Sequence, residues 1–379
     1  MPPLIDTHGR PHRTLRVSVT DRCQLRCRYC LPHGIKEILS HDEILRFEEI
    51  VRILEIAAGA GFDRVRFTGG EPLLRRNLAH LIELTRDLGR FTTIAVTTNG
   101  LLLEEQIDGL VAAGLTNLTV SIDSLDPEGY VEMRGVDALE KVLAGIRAAR
   151  RHERLQLELN AVAIKGRTEK EIPRLIAFAR ATGVTVRFIE LMPFEDIDWS
   201  EELLLSGEEI LEIVARQLGD DAIRELGRAR RSAPSRRFEA GAAKNADVRN
   251  ANGGATSFDP SAGGGETANQ AGEKKDEAFA RGDSPRSGSA SPLRFGLIEP
   301  VSNPFCEDCD RLRIRSDGML FNCLFAETGY DLRTPVRAGD AETMRALIEQ
   351  AVREKGKGGM LEFNEQVTTR KRIMASIGG

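Results

Sequence analysis

The sequence predicts an α/β fold: a partial (β/α) barrel of about six units, followed by a C-terminal extension. Short β-branched runs alternate with longer runs of helical period from Leu15 to about Glu190. Such alternation implies parallel strands joined by crossover helices. Gly61, Gly89, Gly114 and Gly183 stand where the helical runs end, the place where a left-handed residue costs glycine least. A third observation separates the extension. Residues 228–292 contain no Leu or Ile, and only Phe238, Val248, Phe258 and Phe279 are large and apolar. Such a stretch buries too little surface to offset its ordering entropy and reads as a disordered insert.

The expected strands are Leu15–Thr20, Arg64–Phe67, Thr93–Thr97, Asn117–Ile122, Leu155–Ile164 and Val184–Glu190. Between them, Asp42–Ala58 places Ile44, Leu45, Ile50, Val51 and Leu54 near a 3.6-residue period. Leu78–Leu88, Glu104–Ala113, Ala138–Arg150 and Glu169–Thr182 read the same way. Six units are too few for a closed eight-unit barrel. The expected division is an N-terminal tail at 1–12, the barrel at 13–227, the low-complexity insert at 228–292 and the extension at 293–379. Order resumes at Leu293–Ile298, and a helix is expected near Ala341–Glu354.

Composition narrows the function classes. The 379 residues carry 53 basic and 58 acidic side chains, a net charge of −5. Nucleic-acid-binding domains carry a basic excess, so no nucleic-acid partner is expected. No apolar run approaches the length of a membrane span. Met1–Arg16 is polar and lacks a signal-peptide core, so the expected location is cytoplasmic and free of membrane.

Six cysteines fall into two triplets, at 23, 27, 30 and at 306, 309, 323. Clustered cysteines in an intracellular chain point to metal rather than disulfides. Cys23, Cys27 and Cys30 form C-x3-C-x2-C directly after the first strand. Three thiolates on one short loop suit a cubane iron–sulfur cluster with one iron left without cysteine. A zinc loop with a distant fourth ligand is the competing reading.

This C-x3-C-x-aromatic-C, with Thr68-Gly69-Gly70-Glu71-Pro72 after the second strand, resembles the signature of the radical S-adenosylmethionine (SAM) superfamily. The resemblance implies a full or partial (β/α) barrel, commonly of six units. It also implies a [4Fe–4S] cluster whose open iron is chelated by SAM, the cosubstrate, which is cleaved to a 5′-deoxyadenosyl radical.

Cys306, Cys309 and Cys323 give C-x2-C-x13-C, and all six histidines lie within the first 152 residues. No local histidine completes a zinc site, so a second three-cysteine cluster with an open iron is the economical assignment. Arg311 and Arg313 alternate along an expected strand and so share one face. Guanidinium groups beside an open cluster suit a phosphate-bearing ligand. Pro304-Phe305-Cys306, Arg311, Arg313, Ser316-Asp317-Gly318, Cys323-Leu324-Phe325 and the terminal Gly378-Gly379 narrow the likeness. They resemble the molybdenum cofactor biosynthesis protein A family, GTP 3′,8-cyclase, over roughly 13–227 and 293–379.

That resemblance implies two [4Fe–4S] clusters. It also implies cyclisation of GTP to (8S)-3′,8-cyclo-7,8-dihydroguanosine 5′-triphosphate, the first step of molybdenum cofactor biosynthesis. The deoxyadenosyl radical takes the ribose H3′, and C3′ then attacks guanine C8. By motif matching, Arg16, Arg66, Thr97, Lys165, Arg311 and Arg313 contact GTP, while Tyr29, Gly70, Ser121 and Met192 contact SAM. Asn99, Asp123 and Glu71 form a second tier of cofactor contacts. Gly378 and Gly379, with Arg311 and Arg313, support catalysis from a tail that reaches the pocket. An external electron donor is required, cyclic pyranopterin monophosphate synthase is the next enzyme, and a homodimer is left open. The competing functions are a peptide-modifying radical SAM enzyme and a non-enzymatic zinc-dependent binding module.

Overall fold

The computed structural model describes residues 2–34, 38–194, 197, 199–219, 223–241 and 292–361. The expected Gly378-Gly379 tail lies outside these. The chain begins with a hairpin of β1 (Leu4–Ile5) and β2 (Pro11–His12), then enters the barrel. The barrel runs β3 (Thr14–Ser18), α1 (Phe47–Gly59), β4 (Arg64–Thr68), α2 (Leu78–Asp87), β5 (Thr93–Thr98), α3 (Leu103–Ala113) and β6 (Asn117–Ser121). It continues through α4 (Pro127–Arg134), α5 (Leu139–Arg150), β7 (Gln156–Ala163), α6 (Glu171–Thr182) and β8 (Thr185–Glu190). Strands β3 to β8 pair in sequence order, all parallel, as the six-unit expectation requires.

Beyond β8 come α7 (Gly207–Leu218), β9 (Ile223–Arg228), β10 (Ser235–Ala240), β11 (Leu293–Ile298), β12 (Arg311–Ile314), β13 (Met319–Phe321) and β14 (Tyr330–Asp331). Two helices follow, α8 (Arg333–Ala338) and α9 (Ala341–Arg353). The extension adds to both edges of the barrel sheet. β11 pairs parallel to β8 and carries the antiparallel β10 and β9, while β12 pairs parallel to β3 and carries β13 and β14. The final order is β14-β13-β12-β3-β4-β5-β6-β7-β8-β11-β10-β9.

Side-chain parity explains where the core sits. One face of the barrel strands is apolar: Leu15, Val17, Val65, Phe67, Ile94, Val96, Leu118, Val120, Leu159, Val186 and Phe188 are buried in one continuous core with the helices. Helices such as α1, which buries Ile50, Ile53, Leu54 and Ala57, supply the other side of that core. Burying these stripes on both partners is the main stabilising term. The opposite face is polar and lines a cavity, described below. Among the described residues, no helix is long and apolar enough to cross a membrane.

Two expectations need correction. Residues 1–12 are not a loose tail: Asp6, Arg10 and His12 are buried polar side chains in the β1–β2 hairpin. The low-complexity reading of 228–292 also starts too early, because β10 is a strand within it. Phe238 pairs with Phe295 of β11 and stacks on it with ring centroids 5.1 Å apart, and Ala240 pairs with Leu293. A tertiary partner more than 50 residues away supplies the burial that local composition lacks. Residues 242–291, the rest of that expectation, lie outside the described residues.

Candidate functional site

The polar face of the sheet builds the site. Arg313, Arg16 and Arg66 are register partners on β12, β3 and β4, so three guanidinium groups stand side by side across adjacent strands. Opposite them the inward positions are Thr97, Thr119, Ser121, Glu158, Asn160 and Arg187. Arg66 Nη1 donates to Thr97 Oγ1 and Thr119 Oγ1, each at 3.0 Å. Arg187 Nη2 donates to Thr119 Oγ1 at 3.1 Å, and its Nη1 pairs with Glu158 at 2.6 Å. Together these strands enclose a cavity of about 720 Å³, large enough for more than one small ligand. Its wall runs from the first cysteine loop to β10 and β12.

The arginines are electrostatically poised for an anion. Burial, then the neighbouring Arg187, Arg311 and Arg230, bring Arg66 down to about 10. Burial and Arg311 bring Arg313 to about 10. Arg16 is lowered by burial and by Arg313, Arg66, Arg311 and Arg187. Like charges packed this closely in a protected cavity oppose one another. Arg311 lies over the Phe305 ring at 4.8 Å, and its Nε and Nη2 are buried without a hydrogen-bond partner among the described residues. Buried donors held this way are a ready acceptor site for phosphate or carboxylate oxygens.

The first cysteine loop leaves β3 and rests on the Gly-Gly turn after β4. Gly70 N–H donates to Thr20 O at 2.8 Å and Glu71 N–H to Arg22 O at 2.7 Å. A Cβ on Gly69 would lie 2.4 Å from Thr20 O, and one on Gly70 2.2 Å from Arg22 O. The glycine pair is therefore dictated first by the cysteine loop's own backbone. Leu25 N–H donates to Cys23 Sγ at 3.4 Å, and Arg134 Nη1 donates to Cys27 Sγ at 3.4 Å. Arg134 pairs with Asp123 at 2.7 Å, and Tyr29 O–H donates to the same carboxylate at 2.9 Å. Burial pushes the Cys23 thiol up to about 11. Glu71 accepts from Leu73 N, Asn99 N and the Thr98 hydroxyl, yet burial still raises it to about 7.

The second triplet sits where the extension meets the N-terminal hairpin. Phe325 N–H donates to Cys323 Sγ at 3.5 Å. Burial works to raise Cys309, but the charges of Lys355 and Arg311 outweigh it and hold the thiol at about 6. No disulfide joins the six cysteines; the first triplet follows the C-terminal end of β3, while Cys309 precedes the parallel β12 and Cys323 follows the antiparallel β13, at the other end of the strands. Among the described residues no three His, Cys, Asp or Glu side chains converge on one ion position. A cubane takes each thiolate on a separate iron and does not need that convergence. Nearby N–H donors to sulfur, as at Cys23, Cys27 and Cys323, suit thiolates carrying cluster charge.

Most of the expected site residues meet in this one cavity. Arg16, Arg66, Thr97, Arg311, Arg313, Tyr29, Gly70, Ser121, Met192, Cys23, Cys27 and Cys30 all line it. Met192 also packs against the apolar cluster that holds Cys306 and Cys323. Lys165 does not line it: it lies beyond the end of β7, half exposed, paired with Glu209 at 2.6 Å, and Cys306, Cys309 and Cys323 also stand outside this lining. The inward positions of β7 are Gln156, Glu158, Asn160 and Val162. Arg187, Glu158, Arg230 and Arg237 line the cavity but escape a motif reading. The available signal was an arginine in the apolar alternation of Thr185-Val186-Arg187-Phe188-Ile189.

A six-unit parallel barrel segment with three cysteines after its first strand and Gly-Gly-Glu-Pro after its second defines the core of a radical SAM enzyme. Residues 17–179 match the Radical SAM superfamily, and residues 268–361 match the family described as Molybdenum Cofactor Synthesis C. A Rhodopirellula baltica protein named GTP 3′,8-cyclase is 34% identical over 379 residues, covering 99% of this chain and 92% of that protein. One from Acidothermus cellulolyticus is 35% identical over 92% of this chain and 84% of that protein. GTP 3′,8-cyclase 2 of Pseudomonas aeruginosa is 33% identical, covering 99% of this chain and 98% of that protein. The chain belongs to the GTP 3′,8-cyclase family.

Proposed function

We propose that this chain cyclises GTP to (8S)-3′,8-cyclo-7,8-dihydroguanosine 5′-triphosphate, the entry reaction to molybdenum cofactor biosynthesis. Family membership supports the reaction. The observation that carries it to this cavity is the row Arg313–Arg16–Arg66, on strands with the first cysteine triplet beyond the end of β3 and Cys309 just before the start of β12. Cys23, Cys27 and Cys30 would hold a [4Fe–4S] cluster, and Cys306, Cys309 and Cys323 a second. A cluster held by Cys23, Cys27 and Cys30 would, with SAM bound and an external donor, supply 5′-deoxyadenosyl radical chemistry there.

The chain's own residues bind, orient and shield. Arg16, Arg66, Arg311 and Arg313, joined by Arg187, would neutralise the triphosphate, with Thr97 fixing their geometry. Tyr29, Gly70, Ser121 and Met192 would contact SAM at the other end. Holding the ribose and the radical source in one enclosed cavity replaces a diffusional encounter with a fixed one and excludes water. In the net reaction the C3′–H bond breaks and its hydrogen atom leaves in 5′-deoxyadenosine. The C3′–C8 bond forms, and one electron and one proton complete the dihydroguanine ring. The product would pass to cyclic pyranopterin monophosphate synthase, and Gly378 and Gly379 would complete the pocket.

Anaerobic incubation of the reconstituted protein with SAM, reductant and GTP tests this. The expected result is 5′-deoxyadenosine accompanied by an equal amount of cyclised guanosine nucleotide. Deoxyadenosine with GTP left unchanged would overturn it.

A further inference from the structure

The N-terminal hairpin holds a buried arginine whose every donor is used. Arg10 is 4% exposed. Its Nε donates to Asp6 Oδ2 at 2.6 Å. Its Nη1 donates to Cys306 O and Lys357 O, each at 2.9 Å. Its Nη2 donates to Gly356 O at 2.6 Å and Lys355 O at 3.3 Å. These are all five N–H groups that a guanidinium has. Asp6 is itself fixed: it also accepts from Arg10 N and His8 N, each at 2.9 Å, and lies 3.0 Å from His12 Nε2.

The carbonyls Arg10 gathers belong to two segments far apart in sequence. One is Cys306, the first cysteine of the second triplet. The other is the turn 355–357 after α9. That turn lies directly on the cysteine: a Cβ on Gly358, at φ +151°, would stand 2.2 Å from Cys306 Cβ. Lys355, 4% exposed, works from the same turn toward the other two cysteines. Its Nζ donates to Arg311 O at 2.7 Å, to Asn322 O at 2.5 Å and to Cys309 Sγ at 3.6 Å. Arg311 and Asn322 lie close to Cys309 and next to Cys323 in sequence.

We propose that Arg10, oriented by Asp6, is a positioning residue for the second cysteine site. Through the 355–358 turn it locks Cys306 and places Lys355 against the strands that carry Cys309 and Cys323. The hairpin is thus a clamp that builds the second cysteine site from the far end of the chain. The residues of the C-terminal tail, 362–379, follow this same turn in sequence. The proposal rests on the reading of Cys306, Cys309 and Cys323 as a cluster site.

The test compares reconstituted full-length wild type with Arg10→Gln, Arg10→Lys and Asp6→Asn, reading iron content, cluster EPR and both products. Wild type should hold about eight irons per chain, as two cubanes need. Arg10→Gln should fall toward about four and lose the EPR signal that SAM leaves unperturbed. The signal perturbed by SAM should persist, and so should 5′-deoxyadenosine formation, while cyclised product falls at least tenfold. Arg10→Lys should not rescue, since one ammonium cannot serve five acceptors in a fork. Asp6→Asn should show the same defect more weakly. Wild-type iron, spectra and product in Arg10→Gln would overturn the clamp. So would loss of both clusters together, or full rescue by lysine. About four irons in wild type itself would instead overturn the two-cluster reading, and the clamp with it.

Discussion

Arg16 lies in register between Arg66 and Arg313, two other buried arginines. A site that stores like charge is destabilised until its anion arrives. Arg16→Met should therefore raise the thermal midpoint of the nucleotide-free protein, while weakening GTP binding about 10- to 100-fold, the range for a lost charge-assisted bond. Thermal melts and equilibrium binding check both halves. A lower midpoint with unchanged affinity would contradict the row's role. His12 gives the opposite kind of case. Burial, then the Lys355 charge, lower it from 6.5 to about 4, against the partly opposing effect of Asp6. The folded state thus prefers the neutral ring. Its stabilising effect is complete above pH 6.5 and is lost as pH falls from 6.5 toward 4. Between pH 7 and pH 5 the hairpin should lose about 2 kcal/mol. Denaturation midpoints at the two pH values should show this in wild type and not in His12→Gln; equal losses in both would refute it.

The six parallel strands of the barrel were legible because each has an apolar outer face and most of the helices between them close on glycine, α5 with its Arg151 cap excepted. The expected helices omit α4 and α7, although Asp126 caps Gly129 N, Ser206 forms a capping box with Glu209, and α7 repeats Ile210, Ile213 and Val214 at helical spacing. Their caps are in the sequence; α4 has no apolar stripe, burying Tyr130, Met133 and Arg134 instead. β10 could not be read locally, since Phe238 earns its burial only against Phe295. That pairing makes a prediction about the segment between. Ala240 and Leu293 are cross-strand partners, so β10 and β11 end beside one another. A hairpin link of two to five residues spans such a gap. Replacing residues 242–291 with a four-residue turn should leave iron content, thermal midpoint and cyclase rate within about twofold of wild type. Loss of iron or of activity would show that the segment does more than connect.

Across the whole molecule, the chain builds its site from three distant regions. The barrel gives the first cysteine loop with Arg16, Arg66 and Arg187, the extension gives Arg311, Arg313 and the second triplet, and the hairpin gives Arg10. Motif spacing revealed both triplets, because ligands of one cluster on a loop must be close in sequence. It also named Lys165, which stands beyond the end of β7, half exposed and paired with Glu209, outside the cavity lining. It missed Arg10 and Lys355, because Arg10 reaches carbonyls 296 to 347 residues away and Lys355 reaches others 44 and 33 residues away, which leaves no local pattern. The central claim is that a radical made beside Cys23, Cys27 and Cys30 reaches the ribose of a GTP held by the arginine row. Incubation with SAM, reductant and GTP deuterated at C3′ tests it most directly. The account predicts one deuterium in 5′-deoxyadenosine for each cyclised nucleotide formed. Deoxyadenosine without deuterium, beside GTP that keeps it, would contradict the account.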